Sequence, residues 1–469
     1  MQNTSNEQIA NLVEAQRDFY HSGVTLDLKF RRRMLKALLA AFEKWEKPLA
    51  EALWTDLHKS YEEAYITELS IVKAEIKNHL SHLKNWASPK LKATPIKMFP
   101  SVSRIVSEPL GNTLIIAPWN YPVQLLLNPL VGAISSGCTA ILKPSPYVPH
   151  VSLVMNQMIA DSFPPEYIGV VQGNRTVNQA LLEHRFDLIF FTGSPSLGRM
   201  VMAAAAHHLT PVVLELGGKS PCIVDKDADI AVAAKRIAWG KTLNAGQTCI
   251  APDYLLIHES VKDAFVRAFA KAVRQLHGED ISQSAHYVRM VNDRAFARVG
   301  DYLAEGTILY GGRTDASDRF IEPTLLDMNL CLADMKDGDR TAGKAVLREE
   351  IFGPVLPVIT FSEHKQMVEY ITGGEKPLAL YYFGPKCRGW EIIRHTSSGG
   401  ACINDTIMHI ANENIPFGGV GNSGMGHYHG RESFIAFSHR RSVVCTPTWL
   451  DLPFRYMPYK LFALVKKII

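Results

Sequence analysis

The clearest pattern near the start of the chain is helical. Phe30, Met34, Leu38 and Phe42 recur every four residues, Leu35 and Leu39 lie beside them, and Leu49, Leu53 and Leu57 repeat the spacing. That period puts apolar side chains on one helix face, so residues 5–82 are expected to form amphipathic helices. From Leu83 to Ser107 the pattern loosens, and Pro89, Pro95 and Pro100 separate short apolar pieces. An irregular arm with short strands is expected there. From residue 112 short apolar runs at 113–117, 138–142, 167–171, 187–191 and 212–215 alternate with helical patterns at 122–136, 150–161, 176–183 and 195–208. Buried strands alternating with helices indicate a parallel, doubly wound sheet, whose ligands sit beyond the carboxyl ends of the strands. The alternation continues with strands at 222–225 and 254–258 and helices at 227–243 and 261–275. Residues 331–346 read as a polar loop insertion, and 399–426 is dense in glycine with little periodicity. The tail from Tyr459 carries Leu461, Phe462, Leu464, Val465, Ile468 and Ile469. It is expected to pack as a C-terminal helix, with contact at a membrane surface as the lesser reading.

Length and charge narrow the function classes. A chain of 469 residues is expected to divide into more than one domain. A net charge of +4 gives no electrostatic case for nucleic acid. The 7 cysteines are spread without CxxC pairs, which suggests neither a disulfide framework nor a metal site and fits a reducing compartment. No uninterrupted apolar run approaches the roughly 20 residues needed to cross a bilayer. The N-terminus is polar and lacks an apolar signal core, so a cytoplasmic location is expected.

Several turns carry candidate chemistry. Cys249 ends the stretch Asn244-Ala-Gly-Gln-Thr-Cys249, and a thiol on a glycine-containing turn suits a nucleophile. A lone cysteine is also commonly a small buried hydrophobe. Glu215 ends an apolar run before Gly217-Gly218-Lys219, where a carboxylate suits a base or a helix cap. Asn120 lies in Ala117-Pro-Trp-Asn-Tyr-Pro122, a stiff turn that suits an oxyanion donor or an Asn bonding its own backbone. Lys143 ends a strand at the ligand edge, and suits a ribose or phosphate contact or a surface lysine equally. Phe191-Thr-Gly-Ser-Pro-Ser-Leu-Gly198 joins a strand to a helix, the setting in which backbone N–H groups hold a pyrophosphate. Gly419-Val-Gly421-Asn-Ser-Gly424 matches G-x-G-x-x-G, but no strand leads into it and no regular helix leaves it, so it reads as a tight loop.

Taken in order, Ile116-Ala-Pro-Trp-Asn-Tyr-Pro122, Leu142-Lys-Pro-Ser145, Phe191-Thr-Gly-Ser194, Leu214-Glu-Leu-Gly-Gly-Lys219, Gly246-Gln-Thr-Cys249, Glu350-Ile-Phe-Gly-Pro354 and Pro416-Phe-Gly-Gly419 resemble the aldehyde dehydrogenase superfamily. Phe417 to Gly430, with Phe437-Ser-His439, resembles its class 3 branch. The resemblance spans roughly residues 5–445. It implies an α/β fold of two doubly wound domains plus a small β bridging arm. The dinucleotide-binding domain would comprise 1–82 and 108–215, and the catalytic domain 216–399. The bridging and oligomerisation arm would comprise 83–107 and 400–445, leaving 446–469 as a tail. It further implies Cys249 as nucleophile, Glu215 as general base and Asn120 as oxyanion donor together with the Cys249 amide. Trp119, Lys143, Gly193, Ser194, Gly198, Glu350 and Phe352 would contact NAD or NADP, with no metal and a homodimeric assembly.

The implied reaction oxidises an aldehyde to a carboxylic acid through a thiohemiacetal and a thioester on Cys249, with hydride passed to nicotinamide. Glu215 favours release by water over transfer to coenzyme A. Many relatives carry a glutamate three residues after the lysine, where this chain has Pro146, so both NAD and NADP are expected to be usable. Medium-chain aliphatic and aromatic aldehydes are the substrates that class 3 resemblance implies. A cofactor-independent thiol esterase and a non-catalytic protein on the same fold are the competing readings.

Overall fold

The structure is a computed structural model that describes residues 3–335, 340–341, 343–453, 456–459, 462–463 and 466. The amphipathic N-terminal pattern folds into helices Asn6–His21, Leu28–Leu57 and Ser70–Ala87. Their caps explain where they start. Ser5 and Gln8 form a reciprocal capping box, and the Asp27 side chain accepts the Lys29 amide. The helix Leu28–Leu57 stops where His58 turns into the left-handed region at φ 55. Phe30, Leu35, Leu38, Phe42, Leu49, Leu53 and Leu57 are all buried. This face packs on the helices Pro149–Ser162, Ser70–Ala87 and Pro122–Ser136.

A six-stranded sheet runs in the order Gly424–Met425, Val212–Leu216, Leu188–Gly193, Asn112–Ile116, Thr139–Lys143 and Ile168–Val170. All its pairings are parallel except that of Gly424–Met425 with Val212–Leu216. Helix Pro122–Ser136 is buried on every side, with Pro122 in its first turn and Gly137 closing it at φ 99.

A seven-stranded sheet runs in the order Thr307–Tyr310, Thr324–Cys331, Val355–Phe361, Tyr254–His258, Pro221–Val224, Ala379–Phe383 and Gly400–Ile403. Only the Thr307–Tyr310 edge is antiparallel. Together the two sheets give the α/β fold that the alternation of runs implies.

A third sheet joins Lys90–Lys92, Val102–Pro109 and Ser438–Cys445, all antiparallel. The glycine-dense span behaves differently from expectation. Gly400–Ile403 extends the seven-stranded sheet and Gly424–Met425 extends the six-stranded one, so of 400–445 only Ser438–Cys445 pairs with the arm. The reason is backbone pairing, which ignores the weak side-chain pattern of glycine-rich strands. In the expected insertion at 331–346, Leu332–Asp334 forms a short 3-10 turn and Ala345–Arg348 a helical turn, while 336–339 and 342 lie outside the described residues. The expected tail helix lies largely outside them too.

Leu126 is fully buried on the central helix within the largest core cluster. Leu126→Ala is expected to cost about 2–5 kcal/mol through lost burial and a residual cavity. Urea unfolding measures it as a lowered midpoint at unchanged slope.

Candidate active site

The turn that carries Cys249 is built from consecutive left-handed residues. Asn244, Ala245 and Gly246 have φ of 52, 51 and 70. Gly246 is required there on two counts: its φ is positive, and a Cβ would overlap the Gly353 carbonyl oxygen. Side chains then lock the turn. Gln247 Nε2 donates to the carbonyls of Asn244 and Arg289, each at 3.1 Å, and its Oε1 accepts the Val291 amide at 3.1 Å. The Tyr121 and Thr248 hydroxyls are hydrogen-bonded at 2.7 Å. Cys249 follows, partly exposed and not disulfide-bonded.

Asn120 reaches this turn from the carboxyl end of strand Asn112–Ile116. Its side chain is buried, and Nδ2 donates to the Gln247 carbonyl at 3.0 Å. A carboxamide nitrogen has two N–H donors, so one remains for another acceptor.

Three carboxylates surround the thiol region. Glu215 is buried, and neither of its carboxylate oxygens has a hydrogen-bond partner. Burial holds its pKa well above the ordinary carboxylate value. One oxygen lies against Gly418, where a Cβ would come within 3.1 Å. Glu350 lies against Gly217 and has one unpartnered oxygen. Burial, with Asp253 nearby, pushes it up to about 8. Glu63 Oε1 accepts the Asn244 amide at 2.9 Å, and burial pushes Glu63 up to about 7. The Cys249 thiol is raised by burial first and then by the charges of Glu350 and Glu215, while the amides of Cys249 and Ile250 lower it.

Along the carboxyl edge of the six-stranded sheet, Gly193 ends one strand and Ser194 caps helix Pro195–Ala206, its Oγ accepting the Leu197 amide at 3.4 Å. A Cβ on Gly198 would lie 2.8 Å from Leu216 Cδ2, so this helix start packs too closely for a side chain. Lys143 ends strand Thr139–Lys143, separated from Leu188–Gly193 by Asn112–Ile116. It is buried, donates to the Pro144 carbonyl at 2.8 Å, and is lowered by burial to about 8. The rings of Trp119 and Phe352 meet edge-on with centroids 5.4 Å apart. A helix start at the sheet edge, a buried ammonium and a carboxyl with a free oxygen fit a dinucleotide's phosphates and ribose hydroxyls. Lys219 pins the segment that carries Glu350, pairing with Asp253 and donating to the carbonyls of Val346 and Glu349, each at 2.8 Å.

The structure thus gathers Cys249, Glu215, Glu350 and Asn120 into one region, and sets Lys143, Gly193, Ser194 and Gly198 along one sheet edge. Sequence reasoning missed Tyr428. Its ring packs on Phe190 at 5.2 Å, and its hydroxyl is buried without a partner. Burial, then the charges of Glu215 and Cys249, raise its pKa. Thr192 was missed as well: it pairs with Glu215 across the sheet, and its hydroxyl is also unpartnered. Ring packing places Tyr428 and strand pairing places Thr192, and neither signal is written in local sequence.

A thiol turn, a carboxamide and buried carboxylates thus lie together at the carboxyl edge of a parallel sheet. Residues 1–443 match the aldehyde dehydrogenase family, and the chain belongs to it. It is 45% identical over 445 residues to the 4,4'-diaponeurosporen-aldehyde dehydrogenase of Staphylococcus aureus, covering 94% of this chain and 95% of that one. It is 41% identical over 458 residues to the dimeric NADP-preferring aldehyde dehydrogenase of Canis lupus familiaris, covering 96% and 98%. The solved substrate-bound state of Staphylococcus aureus AldH superposes with a TM-score of 0.94 at 43% identity, covering 98% of this chain and 99% of that one. Family 3 members, such as human member B1 at 40% identity over 93% of this chain and 91% of its own length, are among its relatives.

Gly246→Ala tests the turn. The strained φ alone is expected to cost about 1–3 kcal/mol, and relief of the overlap would displace Cys249. Thermal melting and the alkylation rate of Cys249 should both change.

Proposed function

We propose that the chain oxidises apolar aldehydes to carboxylic acids, using NAD or NADP, with Cys249 as nucleophile, Asn120 as oxyanion donor and Glu215 as general base. The observation that carries this reading is the convergence of the Cys249 turn, the free N–H of Asn120 and the unpartnered Glu215 carboxyl.

Cys249 attacks the carbonyl carbon as thiolate, a minority form at neutral pH because burial and the two carboxylates raise the thiol. The new C–S bond moves the carbonyl electrons onto oxygen. That oxyanion accepts hydrogen bonds from the spare Asn120 N–H and the Cys249 amide. The dinucleotide, when bound, supplies a hydride acceptor for the carbon. Lys143 and the Gly193-Ser194 helix start would hold its adenosine and pyrophosphate parts. Glu350, Phe352 and Trp119 would hold its nicotinamide end. The thioester left on Cys249 is attacked by water, whose proton passes to Glu215. The C–S bond breaks, the acid leaves, and the Cys249 thiolate takes back the proton held by Glu215. A dedicated base for water favours the non-acylating reaction.

The name of the Staphylococcus aureus relative supports an apolar aldehyde, and that of the canine relative supports use of NADP and a dimer. We assign the six-stranded sheet to cofactor binding, the seven-stranded sheet to the nucleophile, and the three-stranded arm to a homodimer contact through its exposed Leu91 and Val444. All 7 cysteines are free, which supports a reducing cytoplasm. Among the described residues no helix is long and apolar enough to cross a membrane.

Glu215→Gln is expected to keep a stoichiometric burst of reduced cofactor while steady-state turnover falls about 100-fold or more. Because its pKa is raised, more of the base form of Glu215 appears as pH rises, so deacylation should accelerate with pH. The Gln variant should lose that dependence. Undiminished turnover would remove Glu215 from this role.

Kinetics with both cofactors should show NAD and NADP within about a thousandfold of each other, or ~4 kcal/mol. A wider preference would contradict the reading of Lys143 and Pro146.

A further inference from the structure

The groups assigned to the reaction are themselves held by a segment that the reaction does not use. Past His58 the chain sends Lys59 inward, and Lys59 and Glu68 form an ion pair of 2.6 Å with both side chains fully buried. Lys59 Nζ also donates to the Asn120 carbonyl at 3.0 Å and lies 4.2 Å from the centroid of the Tyr121 ring. The second oxygen of Glu68 accepts the Val123 amide at 2.8 Å and the Gln124 amide at 3.3 Å, in the first turn of helix Pro122–Ser136. From the other side, Asn244 Nδ2 reaches the same Asn120 carbonyl at 2.9 Å. Asn120 is therefore clamped at its carbonyl by an ammonium and a carboxamide, just before a helix start that is itself held by a carboxylate.

The local backbone is built for this. Glu63 and Glu68 both face inward, although a regular α-helix aligns residues three or four apart. The π turn Tyr65–Leu69, which contains Glu68, widens the spacing by one residue. Such turns concentrate at functional sites. A buried ion pair is weak evidence of a stabilising role, since apolar replacements of such pairs are often neutral or stabilising.

We propose that Lys59, paired with Glu68, is a positioning residue for the oxyanion donor: it fixes the Asn120 backbone so that the spare side-chain N–H points at the developing oxyanion. The inference rests on the reading of Asn120 given above.

The test is the burst rate of reduced-cofactor formation, which reports acylation. Lys59→Met combined with Glu68→Gln removes the pair without leaving a bare charge. It should slow the burst about 10- to 100-fold while KM changes little, as expected for a displaced donor. In an Asn120→Ala background the same double replacement should add nothing, which a merely structural role would not predict. A full-rate burst in the folded variant, or an equal further loss on top of Asn120→Ala, would overturn the proposal. If the double replacement does not fold, Lys59→Arg keeps the charge but moves the donor, and an undiminished burst there overturns it equally. Asn120→Ala alone at full rate is a separate result that removes the reading of Asn120 itself.

Discussion

The position of Cys249 depends on hydrogen bonds between two turns that are far apart in sequence. Asn120 and Asn244 both donate to the Gln247 carbonyl, at 3.0 and 3.1 Å, and Asn244 also donates to the Asn120 carbonyl. One turn follows a strand of the six-stranded sheet, and the other follows the helix Ile230–Thr242 beside the seven-stranded sheet. Such bonds are buried, so breaking one leaves an unpaired polar group rather than a solvated one. The relative placement of the two turns is thereby set to within hydrogen-bond tolerance.

Around this tie several buried polar groups have no partner. Both oxygens of Glu215, the hydroxyls of Thr192 and Tyr428, and Oδ1 of Asn120 lack hydrogen bonds within the protein. Glu75 contrasts with Glu215: it is also buried, but it bonds to His79 and accepts from Gly430 and Ser433, and His79 chiefly holds it near 2 even though burial opposes this. Two buried glutamates in one chain are thus driven to opposite protonation states by their surroundings. The unpartnered one binds a proton more tightly, and in its ionised form it can take one up during a reaction.

Much of the architecture was legible in the sequence, because it rests on period and punctuation. The buried runs at 113–117 and 187–191 and the intervening helix starts at Pro122 and Pro195 mark a parallel sheet, and the structure has it. The glycine-dense span was not legible. Gly424 pairs with Glu215, and a Cβ on Gly418 would meet the Glu215 carboxylate, yet neither glycine carries a side chain that would signal a partner. Lys59 and Glu68 were equally silent: each reads locally as a polar residue on a solvated helix, and only the π turn and the tertiary fold turn them inward. Residues that mark their own turn, such as Gly246, can be found from sequence. Residues whose meaning lies in a distant partner cannot.

The three-stranded arm pairs Val102–Pro109 with Ser438–Cys445, so its central strand waits until Ser438–Cys445 has been made before its second neighbour exists. During synthesis, domains tend to form from the N-terminal end as units. Until the last strand leaves the ribosome, one edge of Val102–Pro109 stays open, a template for unwanted pairing between nascent chains. Its neighbourhood carries charge that discourages this, with Arg104 on the strand itself and Lys90 and Lys92 on the strand beside it. Ser438–Cys445 thus acts as a closing seam, and any assembly built on that sheet can begin only once that strand has been made.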